Sequence, residues 1–205
     1  MVASGIGHMI RPVRWLCRRG VGTLLTVALA AALTVAAQEM NVPLEVQVEL
    51  MVRVFSFDRA MDQRATAGLT VGILYQERYR TSANTADEVE ELLSRAEWAS
   101  SGPVQIVRIP WESRTAAEQM LRDKRVRILY IAPLRSVDMQ SVSDMCVALQ
   151  VPAFTGVPEY VNEGIPLGVA RRGGKAAILV NLPAARRTGV DLSSRVLHIA
   201  EVIGE

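Results

Sequence analysis

The chain has 205 residues, 50% of them hydrophobic and 5% aromatic, so it is long and apolar enough for one ordinary domain with a proper core. The formal net charge is +2, but four of the 23 basic residues precede residue 38, which leaves 19 basic against 21 acidic residues in the rest. A near-neutral domain of this kind lacks the positive surface of a nucleic-acid-binding protein, and we exclude that class.

The first 37 residues have the layout of a secretory signal peptide. A basic segment is followed by an uncharged apolar run over 21–36, and Val35-Ala36-Ala37 provides the small residues of a cleavage site. We predict that residues 1–37 are a signal peptide and that residues 38–205 form a single exported, periplasmic domain. An apolar run of this length is marginal for a membrane-spanning helix, so an uncleaved N-terminal anchor is the alternative.

This boundary determines the cysteine content of the exported domain. Cys17 lies within the predicted signal peptide, so Cys146 remains alone and no disulfide can form within the chain. Val142, Met145, Cys146 and Leu149 follow helical spacing, which predicts a thiol buried on the apolar face of a helix.

The first half of the domain predicts a helix, a strand and a second helix. A buried strand is expected over 69–75, and Thr85-Ala86-Asp87-Glu88 is typical of a capping box that opens the second helix. The carboxylates around Asp87 would then be explained by the dipole of that helix. The first helix carries an apolar stripe of Leu44, Val48, Met51, Val52 and Phe55.

Strands and helices continue to alternate through the middle of the chain. Strands are predicted over 104–109, 126–131 and 152–157, with helices capped at Thr115 and Ser136 between them. This alternation predicts an α/β fold, a three-layer sandwich with a mostly parallel central sheet.

The last forty residues predict a hairpin followed by helix. Two short apolar runs flank the basic, glycine-containing turn 171–175, which indicates a β-hairpin. A short helical segment then stops near Gly189. A closing helix is predicted from apolar residues at helical spacing, namely Leu192, Val196, Ile199, Ala200 and Ile203.

Candidate interaction or anion-binding residues lie in this C-terminal region. Basic residues flank the predicted hairpin turn, and a second polar cluster lies beside the two helical segments. A solvated hairpin tip, and a helix cap at Ser193 or Ser194, explain the same residues without a ligand. The candidates are Arg171, Arg172, Lys175, Asn181, Arg186, Arg187, Ser193, Ser194 and Arg195.

Signatures of catalysis are missing from the sequence. A single histidine, His198, and a single cysteine in the exported domain cannot build the usual His/Cys metal cluster. No P-loop, Gly-x-Ser-x-Gly or Gly-x-Gly-x-x-Gly follows a strand. We therefore expect no enzyme activity, no cofactor and no metal.

The order of the C-terminal motifs resembles a known family. Gly-x-hydrophobic, a basic-glycine turn, hydrophobic-Asn-Leu, x-Ala-Ala-Arg-Arg-x-Gly and x-x-Leu-Ser-Ser-Arg-hydrophobic-Leu follow one another between Gly164 and Val202. This series is similar to the C-terminal signature of the YfiR-like family. Val71-Gly72-Ile73-Leu74 and Arg127–Ala132 are similar to earlier strands of that family.

The resemblance implies a periplasmic, non-enzymatic regulator with an α/β sandwich fold and a tendency to dimerise. Studied members of the family bind the periplasmic domain of an inner-membrane diguanylate cyclase and hold it inactive, which lowers cyclic di-GMP and biofilm formation. The implied partner is therefore a membrane-bound sensor or diguanylate cyclase. A repressor of this kind predicts an exposed apolar patch on the first helix or at the sheet edge.

A small periplasmic ligand-binding module that serves a transporter or a sensor is the second hypothesis. It predicts a polar pocket at the carboxyl ends of the strands, around residues 76–81 and 133–136.

Overall fold

The computed structural model describes residues 40–66, 68–98 and 103–204. The predicted signal peptide lies outside the described residues. Gln38–Glu205 forms a compact unit of its own, and all of the described core residues belong to it. Within the described ranges, no helix is both long and apolar enough to cross a bilayer.

A seven-stranded sheet runs through the middle of this unit. Its spatial order is β2-β1-β3-β4-β5-β6-β7, and every neighbouring pair is parallel except the antiparallel pair β5–β6. The strands are β1 (Leu69–Tyr75), β2 (Val104–Pro110), β3 (Ile128–Ile131), β4 (Ala153–Thr155), β5 (Leu167–Arg172), β6 (Lys175–Asn181) and β7 (Glu201–Ile203).

Eight helices are described around the sheet. They are α1 (Leu44–Ser56), α2 (Met61–Arg64), α3 (Arg80–Arg95), α4 (Arg114–Asp123), α5 (Met139–Leu149), α6 (Pro158–Asn162), α7 (Leu182–Arg187) and α8 (Ser194–Ile199). Side chains of α1 and α3 share a core with one face of the sheet, and side chains of α4 and α5 share a second core with the other face. The predicted three-layer α/β sandwich with a mostly parallel sheet is confirmed.

The strands in the centre of the sheet separate the two cores by simple alternation. In β3, Ile128 and Tyr130 join the core under α1 and α3, whereas Leu129 and Ile131 join the core under α4 and α5. Every residue of β1 and β3 is buried. Strands covered on both faces need aliphatic residues at each position, which explains the uninterrupted apolar runs in the sequence.

Helix α1 is fixed to the sheet by a buried polar side chain that the apolar stripe does not include. Gln47 is fully buried, donates from Nε2 to the carbonyl of Val42 at 2.7 Å and accepts from the Tyr130 hydroxyl at 2.7 Å. A Cβ atom on Gly156 would lie 1.9 Å from Gln47 Oε1, so only glycine leaves room for this side chain. Gln47 therefore occupies a core position on the buried face of α1, although the predicted apolar stripe does not include it.

A second buried polar group joins the segment after α1 to the C-terminal part of the chain. The Asp58 carboxylate accepts from the backbone N–H groups of Ala60 and Asp191 at 3.0 and 2.9 Å and pairs with Arg64 at 3.3 Å. Arg64 also donates to the carbonyls of Gln150, Thr188 and Gly189. The bonds to Gln150, Thr188, Gly189 and Asp191 join positions more than eighty residues apart in sequence.

The predicted hairpin is present. Strands β5 and β6 pair from Leu167↔Val180 to Arg172↔Lys175, with Gly173 and Gly174 alone in the turn. Their φ angles are +53° and +81°. A two-residue turn whose twist matches that of the flanking strands requires two successive positive φ angles. Glycine adopts such angles without a steric penalty.

The predicted start of the second helix is wrong. Helix α3 begins at Arg80, five residues before the predicted capping box, and Thr85 is buried against the core rather than capping the helix. The carboxylates that follow are therefore in the middle of the helix, where Asp87 pairs with Arg108 of β2. The helix begins earlier because Thr85 packs into the core, and this packing outweighs the local capping pattern.

Two other helix caps lie close to their predicted positions. The Ser113 hydroxyl accepts from the N–H of Ala116 at 3.2 Å, and the Asp138 carboxylate accepts from the N–H of Gln140 at 3.1 Å. Ser113 replaces the predicted Thr115, and Asp138 replaces the predicted Ser136.

The closing helix is shorter than the apolar spacing predicts. Helix α8 ends at Ile199, whose side chain is 70% exposed, and residues 201–203 form β7 instead. Strand β7 pairs with β6 from Leu179↔Glu201 to Asn181↔Ile203. Pairing satisfies the backbone groups along β6, and helical periodicity alone does not reveal this.

The Gln47–Tyr130 hydrogen bond predicts a non-additive pair of substitutions. Tyr130→Phe leaves Gln47 Oε1 buried without a donor and should lower the free energy of unfolding by about 1–3 kcal/mol. Gln47→Met should also destabilise, and the double variant should cost less than the sum of the two single changes. Urea denaturation of the purified protein measures all three. Tyr75→Phe is the control, because the Tyr75 hydroxyl makes no hydrogen bond to another described residue, and additive costs would contradict the prediction.

Candidate functional site

A groove lies between helices α1 and α3, on the outer side of the first core. The two helices pack against each other, and the cavity between them has a volume of about 540 Å³. It is lined by Glu45, Val48, Glu49, Val52, Arg53, Ser56, Leu92, Arg95, Ala96 and Glu97. We call it the α1–α3 groove.

The groove has an apolar floor and a charged rim. Val52, Leu92 and Ala96 are only half-buried, although each packs against the first core. The Glu49–Arg53 ion pair on the rim spans 2.8 Å, and Arg95 of the rim pairs with Glu91 outside it at 3.2 Å; both pairs are exposed. Exposed pairs four residues apart on a helix contribute about 0.3–0.5 kcal/mol, so a partner could displace them at little cost.

The position of Gln47 determines which residues face this groove. Consecutive residues on a helix are turned by about 100°, so placing Gln47 and Met51 against the sheet turns Val48 and Val52 towards α3. Val48 is itself buried in the first core, whereas Val52 remains half-buried at the groove. The groove thus leaves Val52 of the first helix partly uncovered, together with Leu92 and Ala96 of α3, although no large apolar side chain within α1 is fully exposed.

The carboxyl ends of β1 and β3, where a ligand pocket was predicted, are bridged by the chain itself. The Gln76 side chain accepts from the N–H of Arg135 at 2.5 Å and donates to the Arg135 carbonyl at 3.1 Å. The Tyr160 hydroxyl makes the corresponding pair of bonds with the backbone of Leu134, at 2.8 and 2.9 Å. Side chains of the protein therefore use the backbone groups that a ligand would contact at this edge.

The nine polar residues predicted as an interaction site do not form one cluster. Arg171, Arg172 and Lys175 lie at the hairpin tip, whereas Asn181 lies at the far end of β6. Seven residues of strand separate these ends by about 20 Å. Residues 186 and 187 follow Asn181 in α7, on the side away from the tip.

Several of these nine residues have a structural partner. Arg172 makes two bonds of 2.9 and 3.1 Å to the carboxylate of Glu201 on β7, and this pairing lowers the pKa of Glu201. Asn181 caps α7 by accepting from Ala184 at 3.0 Å and donates to the Val161 carbonyl at 2.8 Å. Arg172 thereby joins β5 to β7, and Asn181 joins β6 to α6 and α7.

The remaining candidates are not engaged in this way. The side chains of Arg171, Lys175, Arg186, Arg187 and Arg195 are exposed and make no hydrogen bond or ion pair to another described residue. Ser193 occupies the N-cap position of α8, but its hydroxyl makes no cap bond and is buried without a partner among the described residues. Ser194 is exposed at the start of the same helix.

The groups available for chemistry are few and separate. Cys146 is fully buried on α5, as predicted, and burial raises the pKa of its thiol to about 12. His198 is exposed on α8. Within the described ranges, no three His, Cys, Asp or Glu side chains come together in a way that could hold a metal ion.

A family model matches most of the chain. The YfiR/HmsC-like family (DUF4154) matches residues 45–201. The chain belongs to this family. Its members are periplasmic and regulatory rather than catalytic, which agrees with the resemblance seen at the C-terminus.

No curated protein matches the chain in sequence. Three solved structures share its fold. The ABC domain in complex with L-Trp from Streptococcus pneumonia has a TM-score of 0.58 and 16% identity, over 78% of this chain and 62% of that one. A conserved domain protein from Vibrio cholerae has a TM-score of 0.55 and 12% identity, over 78% and 60%.

The third structure is a ligand-free, open substrate-binding protein with adhesive properties from Clostridium difficile. Its TM-score is 0.51 and its identity 14%, over 70% of this chain and 57% of that one. The chain therefore spans about 60% of the length of the structures it matches. At these identities the likeness shows the α/β fold alone.

Burial of Cys146 predicts a thiol that does not react in the folded protein. Burial raises its pKa from 9.0 to about 12, so the reactive thiolate is nearly absent at neutral pH. A thiol-reactive dye should label Cys146 only after unfolding in urea. Rapid labelling of the folded protein at neutral pH would contradict this.

The same shift has a consequence for stability at alkaline pH. Because the pKa of Cys146 is higher in the folded state, its contribution is fully present below pH 9 and is lost as the pH rises towards 12. Tyr130, whose pKa burial also raises, acts in the same direction. We expect Cys146→Ala to lose stability less steeply than the wild type above pH 9. Equal slopes in urea titrations would show that the thiol is not buried.

Proposed function

We propose that this protein is an exported, non-enzymatic regulator that represses an inner-membrane diguanylate cyclase by binding its periplasmic domain. The observation that carries the proposal is the α1–α3 groove in a chain that belongs to the YfiR/HmsC-like family. The partner is a membrane-bound protein, and the output is a lower level of cyclic di-GMP and less biofilm.

The groove supports a protein partner because of its shape and composition. Its half-buried aliphatic side chains gain free energy when a partner covers them, at about 25 cal/mol per Å² of apolar surface. Its rim carries charges of both signs, Glu45 and Glu49 beside Arg53, which a partner with complementary charges would match. An apolar centre inside a polar rim is the arrangement found in protein interfaces.

One substitution in the groove, with a matched control, tests this proposal. Val52→Arg places a charge on the apolar wall and should weaken capture of the cyclase from native membranes by roughly tenfold or more, equivalent to about 1.4 kcal/mol. Cyclic di-GMP in the cell should then rise as it does when the gene is deleted. Val46→Arg is the control, because Val46 is also a half-buried valine of α1 but does not line the groove.

The readouts distinguish several outcomes. Loss of capture and raised cyclic di-GMP with Val52→Arg alone support the proposal. Equal effects of both substitutions would indicate general destabilisation of α1 and remove the support from the groove. Unchanged cyclic di-GMP after deletion of the gene would contradict the repressor function itself.

The proposed export also has a direct test. If residues 1–37 are a signal peptide, protein purified from the periplasmic fraction should begin at Gln38, and its intact mass should match residues 38–205. A full-length mass in the membrane fraction would support the uncleaved anchor instead. Dimerisation is read from the same material by light scattering.

The second candidate is a periplasmic ligand-binding module. It is favoured by the fold shared with a substrate-binding protein and with a domain bound to L-Trp. The Gln76 bridge to Arg135 would have to open for a ligand to enter at the carboxyl ends of the strands. Thermal stabilisation by free amino acids, abolished by Gln76→Ala and unaffected by Val52→Arg, would favour this candidate.

A further inference from the structure

The amino end of the parallel strands carries a group of unpaired basic side chains. The last two residues of α4 and the loop to β3 read Arg122-Asp123-Lys124-Arg125-Val126-Arg127. Helix α7 follows β6, whose last residues pair with the first residues of β5, so α7 lies at this same end of the sheet. The basic residues here are Arg122, Lys124, Arg125, Arg127, Arg186 and Arg187, and we call this surface the basic end.

These six side chains differ from the seven described arginines that pair with a carboxylate. All six are exposed, and none makes an ion pair or a hydrogen bond to another described residue. By contrast, Arg108, Arg114 and Arg172 are each paired with a carboxylate. The charges of the basic end are therefore not neutralised by other side chains.

The basic end surrounds a shallow apolar depression. Arg122, Arg125 and Arg127 line a cavity of about 220 Å³ together with Leu121, Val126, Leu149 and Val151. Gln150, between the last two of these residues, donates from Nε2 to the carbonyl of Arg187 at 2.6 Å. This bond brings the end of α7 next to the depression, so the two basic segments are neighbours.

Helix ends explain part of this charge but not all of it. Helices α4, α5 and α7 all end here, with 6→1 bonds from Val126, Val151 and Val190 to Leu121, Cys146 and Ala185. Each helix C-terminus acts as about −0.5 charge and so favours nearby cations. Three such ends, Asp123 and Glu163, which lies just before β5, together offset about three to four of the six positive charges. Arg127 precedes a strand, so no helix end explains its position. A clear positive excess remains.

The acidic residues lie mainly elsewhere. Helices α1 and α3 carry six carboxylates and three arginines, and Glu97 adds a seventh carboxylate just after α3. The near-neutral composition of the domain therefore conceals two oppositely charged regions, an acidic helical layer and the basic end. A charged surface would orient such a domain with the basic end towards negative charge.

We propose that the basic end binds the phosphate groups of anionic phospholipid headgroups and places this domain against a membrane surface. A site for a free anion would hold convergent, buried and hydrogen-bonded side chains, whereas these six are exposed and come from separate segments. A broad, solvated set of cations fits a surface that is itself charged and extended. The apolar floor of the depression allows limited contact beyond the headgroups.

This inference goes beyond the proposed repression of a cyclase and does not depend on it. The α1–α3 groove lies on one face of the sheet and the basic end at the edge of the strands, so their lining residues do not overlap. Membrane binding would confine the domain to the surface in which a membrane-bound partner sits. That raises the local concentration of the partner without any additional protein contact.

Vesicle co-sedimentation tests the proposal with residues 38–205, the unit that contains its own core. The domain should bind vesicles of equimolar phosphatidylglycerol and phosphatidylcholine, and bind phosphatidylcholine alone far less. Each Lys or Arg near an anionic surface contributes about a fivefold change in partitioning. Arg122→Gln/Arg125→Gln/Arg127→Gln should therefore lower binding by roughly a hundredfold, and added salt should weaken the wild type.

The matched control removes charge at the opposite end of the sheet. Arg171→Gln/Lys175→Gln neutralises two exposed, unpaired cations of the hairpin tip and should leave binding within a fewfold of the wild type. Unchanged thermal melting confirms that the variants fold. Arg186→Gln/Arg187→Gln gives a second, independent reduction of roughly twentyfold if α7 belongs to the surface.

Four results would overturn the proposal. They are no preference for phosphatidylglycerol at low salt, equal losses in the triple variant and the hairpin-tip control, no loss in the triple variant, and displacement by inorganic phosphate at constant ionic strength. The last result would assign the basic end to a free phosphate-bearing ligand rather than to a lipid surface.

Discussion

The burial of Gln47 determines how the first helix sits on this domain. Its amide must bond both the Val42 carbonyl and the Tyr130 hydroxyl, because an unsatisfied amide in the core would cost about 1–3 kcal/mol. Gly156 leaves the space that the amide fills. Because this contact fixes the rotation of α1 about its own axis, it also fixes the directions of the other side chains, and Val48 and Val52 are turned towards α3. The α1–α3 groove is therefore a geometric consequence of one buried polar contact.

A second constraint applies at the amino end of the sheet. In right-handed β-α-β units the helices run against the strands, so α4 and α5 bring their C-termini to the same end. The short helix α7 begins at this end because it follows the antiparallel strand β6, and Gln150 holds its last turn nearby. Arginines at those ends are locally favourable, and their side chains remain unpaired. The fold thus brings together basic residues that are distant in sequence. Arg64 and Asp58 hold the nearby backbone segments around Gln150 and Asp191 in place.

Sequence reasoning succeeded where the pattern is local and repeated. The hairpin at Gly173-Gly174 follows from a turn chemistry that few other residues satisfy, and β1 follows from a continuous aliphatic run. It failed where a tertiary contact opposed the local pattern. The start of α3 follows the packing of Thr85, and the end of α8 follows the pairing of β7 with β6. Gln47 was missed because a stripe made of apolar residues alone excludes an amide, and one of its two partners, Tyr130, lies eighty-three residues away.

The sequence by itself determined the alternating α/β order, the buried thiol and the family to which the chain belongs, because each depends on spacing within one segment. Only the tertiary structure decided which polar residues meet. It separated Arg171 and Lys175 from Arg186 and Arg187 by the length of a strand, and it joined the latter pair to the loop before β3 through Gln150. The physical reason is that sheet register and helix direction, neither of which one segment specifies, determine which ends of the chain are neighbours.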